Sequence, residues 1–143
     1  MKLRLALFFF LFVGCLSTAI STELFATNKI ARTPNEAGVV REFVTETDQT
    51  FYRVFTDRPQ GGFLAAVPPR SSAFAQEALS LPRSNTAKFI QEVNVPAGTS
   101  LRRSRAAPLQ ADDIFPNRRG GAEQFELLDP IPSSSFGRGR PLP

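Results

Sequence analysis

Gln124 and Glu126 stand two residues apart in the stretch "RRGGAEQFELL", residues 118–128. In a strand, residues two apart share a face. The alternation therefore predicts a strand that turns Gln124 and Glu126 to one side and Phe125 and Leu127 to the core. An amide and a carboxylate on one face, beside a glycine-containing loop, make a candidate polar site. Arg118, Arg119, Gly120 and Gly121 precede them as a basic, glycine-containing loop. Such a loop could approach an anionic ligand closely. Periodicity alone reads the same pattern as an edge strand with a solvated polar side. Upstream, "TFYRVFTD" places Arg53 in the middle of an apolar run. On these residues alone Arg53 is read as a structural cation paired with a carboxylate such as Glu126.

Several chemistries are excluded. The chain has no His, and its one Cys, Cys15, lies in the N-terminal segment. Beyond that segment a structural zinc site, a His-based catalytic dyad and a disulfide are ruled out, and no metal is expected. The glycines at 120 and 121 lack the Gly-Lys-Ser/Thr ending of a phosphate-binding P-loop. The formal net charge is +4 and falls to +2 without Lys2 and Arg4. That is weakly basic and does not suggest a nucleic-acid binder. Arginine far outnumbers lysine, which leaves room for bidentate contacts to a phosphate.

The first residues, "MKLRLALFFFLFVGCLSTAIS", have a basic start, an apolar run and a small-residue exit. This is the layout of a secretory signal peptide, and the run is short for a membrane span. Residues 1–21 are read as that signal, with secretion or another extracytoplasmic location as the expectation. The alternative is a lipoprotein anchored through Cys15 in "FVGC". Residues 22–40 are read as a leader and 41–143 as one domain, long enough for a packed core.

Val-, Thr- and aromatic-rich runs predict strands in "REFVTETD", "TFYRVFTD", "QEVNVP", "LRRSRAAP" and "EQFELL", with "IPSSSF" as a last strand before a "GRGRPLP" tail. "SSAFAQEALSLP" predicts a helix capped by Ser71 or Ser72 and stopped by Pro82, with Phe74, Ala78 and Leu81 facing the core. "SNTAKFI" predicts a second short helix capped by Ser84 or Asn85. The order gives an α+β domain with a mostly antiparallel, twisted and split β core and two short helices.

Four pieces, in order, carry a resemblance over about residues 50–140: "YRVF" with "GGFLA", "FAQEALSLP", "VNVPAGTSLRRSRAAP" and "RGGAEQ". Together they resemble the NAD-glycohydrolase toxin domain of the tuberculosis necrotizing toxin type, found at the C-termini of bacterial polymorphic toxins. The resemblance implies an architecture related to ADP-ribosyltransferases and hydrolysis of the nicotinamide–ribose bond of NAD or NADP. It assigns Gln124 as the catalytic Gln, Arg53 as a contact to the dinucleotide phosphates, and Phe63 as an aromatic beside the dinucleotide. Glu126 would stabilise the oxocarbenium ion or bond the ribose, and the loop of Arg118, Arg119, Gly120 and Gly121 would close over the ligand. No cofactor beyond that substrate is implied, and a cognate immunity protein is an expected partner. The family's site also uses a His, so here another residue replaces it or activity is reduced or lost.

Two other readings use the same residues. "QFE" resembles the Gln-x-Glu arrangement of mono-ADP-ribosyltransferases, with "SSAF" as their serine element. The third reading is an exported or lipid-anchored domain without enzymatic activity.

Overall fold

The computed structural model describes residues 28–30, 36–112 and 114–143. The signal sequence, Cys15 and most of the segment read as a leader lie outside these residues. Among the described residues no helix is long and apolar enough to cross a membrane.

Two antiparallel sheets form the frame. Strands β1 (Asn28–Ile30), β2 (Glu36–Val44), β3 (Gln49–Phe55), β4 (Phe63–Leu64), β5 (Phe89–Val95), β6 (Ser100–Ala106), β7 (Glu123–Leu127) and β8 (Arg140–Pro141) follow along the chain, with helix α1 (Ser72–Ala78) between β4 and β5. The larger sheet runs β1-β2-β6-β7-β4 and the smaller β3-β5-β8. The α+β class with antiparallel sheets is thus the one expected from the sequence. Strand β2 begins at Glu36, inside the span read as leader.

The short strand β4 joins the sheets. Phe63 and Leu64 pair with Glu126 and Phe125 of β7, and the next residue, Ala65, exchanges two 2.8 Å backbone hydrogen bonds with Tyr52 of β3. Alternation along these strands then makes two continuous faces. On one, Phe51, Leu64, Val93, Val95, Leu101 and Phe125 form a core between the sheets. The Phe51 and Phe125 rings lie 4.9 Å apart between centroids, and truncating either to Ala is worth about 3–5 kcal/mol. On the other face, Val54 and Ile90 pack with Ala75, Ala87 and Leu142, which seats α1 on the smaller sheet.

The helix starts as expected: the Ser71 hydroxyl accepts the Phe74 N–H at 3.2 Å. It stops at Ala78, four residues before Pro82, because Ser80 adopts a left-handed φ of 51° and turns its hydroxyl to the Ala107 carbonyl, 2.5 Å away. Its buried face centres on Ala75; Phe74 is exposed and lies against Arg70, not in the core. The second expected helix does not form. The Asn85 side chain accepts from Ala87 N–H at 3.0 Å and donates to the Val54 carbonyl at 3.2 Å, fixing a turn that runs into β5. "IPSSSF" is also no strand: Ser133–Ser135 make a 3₁₀ turn, and Phe136 bridges Val93. The tail belongs to the fold, since Arg140 and Pro141 pair with Ile90 and Phe89, and Leu142 is buried.

Candidate functional site

The face that carries Tyr52 and Val54 opens into a cleft of about 580 Å³. Its walls come from three places. Strand β3 and the turn after it supply Tyr52, Phe55, Asp57, Arg58 and Gly61; the end of α1 and the following turn supply Leu79, Ser80 and Asn85; β4 and β7 supply Phe63, Ala65 and Gln124. Phe115 enters from the β6–β7 connection. The volume suits a small-molecule site, roughly 300–1,000 Å³.

Gln124 is 4% exposed and lies at this cleft. Phe125 on the opposite side of β7 is also buried, so this strand is covered on both faces and is not an edge. The Gln124 Nε2 donates to the Ser104 hydroxyl at 3.2 Å, across the β6–β7 pairing that sets Ser104 opposite Gln124. The amide is therefore held from its own sheet and presented to the cleft. Phe63 is 38% exposed and also lines it.

The other sequence-derived candidates lie elsewhere. Glu126 shares a side with Gln124 but meets Arg102 at 3.1 Å and is not part of the cleft wall. Arg53 points to the opposite face of β3. Its Nε and one terminal nitrogen donate to the Gln91 Oε1 at 3.2 and 3.0 Å, and the other terminal nitrogen donates to the Gly61 carbonyl at 3.2 Å. The guanidinium carbon sits 4.4 Å from the Phe136 ring centroid, a cation–π contact. Burial draws its pKa below the ordinary arginine value. The partner of Arg53 is thus Gln91, its cross-strand neighbour, and not Glu126. Through Gly61 it reaches the cleft only indirectly, by holding the turn that forms one wall.

The loop of Arg118, Arg119, Gly120 and Gly121 lies along α1. Arg118 meets Gln76 at 3.1 Å and Glu77 at 3.6 Å, and the Arg119 N–H donates to Glu77 Oε1 at 2.9 Å. The Gly120 and Gly121 N–H groups donate to the Glu77 and Ala106 carbonyls. None of these four residues lines the cleft. Ser71 and Ser72 of "SSAF" are likewise used locally: Ser71 caps α1 and Ser72 donates to the Ala87 and Leu142 carbonyls.

Sequence reasoning missed Arg58, Tyr52, Ser80, Asn85 and Phe115. Arg58 sits in "RPQGG", which reads as an ordinary turn. Its one signal is its place between a strand end and a Gly-Gly pair, where the backbone doubles back over the sheet.

Comparison with known proteins adds a likeness of fold. No family model matches the chain, and no curated protein matches it. The solved structure of Tne2 in complex with Tni2 superposes with a TM-score of 0.56 at 23% sequence identity, covering 73% of this chain and 92% of that one. The chain shares the fold of Tne2. The share of Tne2 covered means that the similarity takes in almost the whole of that chain, not one supersecondary unit.

Proposed function

We propose that the protein is an exported toxin-type NAD(P) glycohydrolase whose site is the cleft at Gln124. The observation that carries this reading is a buried amide, braced by Ser104, facing a cleft that also holds an arginine and several aromatic rings. Those are the groups a dinucleotide asks for. Arg58 grips the pyrophosphate, and Phe63 and Phe115 offer ring faces to the bases. The sequence resemblance of "GGFLA" and "RGGAEQ" and the fold likeness to Tne2 support the same reading.

The chemistry needs little beyond positioning. Water attacks the ribose carbon as the bond to the pyridinium nitrogen breaks. The bonding pair returns to the ring, nicotinamide leaves neutral, and the water proton passes to solvent. No general acid is required for the leaving group, so the absence of His is not an obstacle to this step. The transition state is oxocarbenium-like. Gln124 orients the ribose hydroxyls or the attacking water, and its fixed dipole is already in place when charge develops.

The placement of Glu126 favours hydrolysis over ADP-ribosyl transfer. A transferase would use this carboxylate on the ribose, but Arg102 already occupies it. Tne2 is found in complex with Tni2. By analogy a cognate protein that binds and silences this domain is part of the proposal.

The test is nicotinamide release from NAD and NADP without an acceptor protein. Turnover that is lost in Gln124→Ala and largely kept in Glu126→Gln supports the hydrolase. Label appearing on an acceptor protein, with Glu126 indispensable, would move the assignment to the transferase. A folded protein, by circular dichroism, that turns over neither dinucleotide and binds neither would leave a non-enzymatic domain.

A further inference from the structure

The cleft is almost uncharged. Among the described residues that line it, only Asp57 and Arg58 carry charge; both are exposed, and neither enters an ion pair with another described residue. The neighbouring arginines are committed elsewhere. Arg53 serves Gln91 and Gly61 on the far face of β3, Arg83 donates to the Asp112 carbonyl at 3.3 Å, and Arg118 and Arg119 meet Glu77. Among the described lining residues one cation is thus available to a ligand, and a carboxylate stands beside it in the chain.

The two dinucleotides differ in the charge they would bring to this arrangement. NADP differs from NAD by a phosphomonoester on the adenosine ribose, which carries about −1.5 to −2 charge at neutral pH. In doubly wound dinucleotide sites an arginine accommodates that phosphate in NADP, whereas a carboxylate accepts from the free ribose hydroxyls of NAD. The chemistry is not tied to that fold, because a carboxylate at the ribose repels a phosphate in any site. Resting on the reading of this cleft as a dinucleotide site, we propose that Asp57 is its specificity-determining residue. With Arg58 on the pyrophosphate, the Asp57 carboxylate receives the adenosine ribose hydroxyls and makes the protein selective for NAD over NADP. The cleft is open, so salt screens the repulsion beyond about 8–10 Å, but not at contact distance.

The experiment is the rate of nicotinamide release from NAD and from NADP, by the wild type, Asp57→Asn and Asp57→Ala. The wild type is expected to favour NAD by about tenfold or more in kcat/KM. Both variants are expected to narrow that ratio, chiefly by lowering the KM for NADP. Equal use of the two dinucleotides by the wild type, or a ratio unmoved in both variants, overturns the proposal and leaves the hydrolase standing. No turnover of either dinucleotide by folded protein removes the hydrolase reading and this proposal together.

Discussion

Gln124 and Ser104 face each other across β6 and β7, and the Gln124 amide donates to the Ser104 hydroxyl at 3.2 Å. Both side chains are buried. The contact helps to set which way the amide plane points before any ligand arrives. Ser104→Ala removes it and leaves one amide N–H less well satisfied. The expected result is a loss of about 1 kcal/mol in stability and a fall in kcat of roughly fivefold, with KM little changed. Thermal unfolding and steady-state nicotinamide release measure the two effects separately. An unchanged kcat would show that Ser104 is not what orients Gln124.

Arg53 yields a prediction that separates holding the fold from gripping the ligand. Arg53→Met keeps much of the stem but removes the donors to Gln91 and the Gly61 carbonyl and the cation over Phe136. Hydrogen bonds from a charged donor are worth about 1.5–3 kcal/mol, and partial exposure of this one places it toward the lower end. Unfolding free energy is expected to drop by about 2 kcal/mol, and KM to rise as the Gly61 turn loosens. Lys at this position lacks the planar fork and is expected to restore only part of the loss. If unfolding is unaffected while activity collapses, Arg53 contacts the dinucleotide itself, as the sequence resemblance implies.

How far the sequence could be read depended on whether a signal was local. Strands β3, β5, β6 and β7 were legible because β-branched and aromatic residues alternate in them, and the faces of Phe125 and Gln124 followed from a period of two. The Ser71 cap was legible for the same reason, since its partner is three residues away. The end of α1 was not. It is set by Ser80 reaching Ala107, a contact between distant parts of the chain. The false second helix is similar: Asn85 looks like a cap, yet its side chain spends its bonds on Ala87 and Val54. Arg58 and the loop of Arg118 to Gly121 show the same limit at the site. A polar turn gives no periodicity, and whether it faces a cleft or a helix is settled by tertiary partners such as Glu77.

The two adjacent glycines of that loop are predicted to differ sharply. Gly120 has φ of +66°, and a Cβ there would stand 2.5 Å from the Ala106 carbonyl oxygen and 2.6 Å from that of Ala107. Gly121 has φ of +90° with open space around a Cβ. Gly121→Ala meets only the strain of a left-handed backbone, about 1–3 kcal/mol. Gly120→Ala meets that strain and a backbone clash, so the loop must leave Glu77 and β6. Thermal unfolding should rank Gly120→Ala well below Gly121→Ala. Because the loop lies off the cleft, the KM of folded Gly121→Ala should stay near that of the wild type.

Asp112 holds the backbone of Phe115, a residue of the cleft wall. Its Oδ1 accepts the Phe115 N–H at 2.6 Å and the Ile114 N–H at 2.8 Å. These backbone hydrogen bonds, first that from Phe115 and then that from Ile114, hold its pKa below the ordinary 3.8. A carboxylate depressed in the folded state contributes stability above its unfolded pKa and loses it as pH falls through the lower folded value. Asp112→Ala should therefore be less stable than wild type at neutral pH, and the gap should close in acid below about pH 3.8. At neutral pH the variant should also bind the dinucleotide more weakly, because Phe115 is no longer fixed at the wall. Melting curves of the two proteins from pH 7 to pH 2 give the first result, and KM at pH 7 gives the second. A gap that is constant with pH would mean that the carboxylate's charge plays no part in holding this turn.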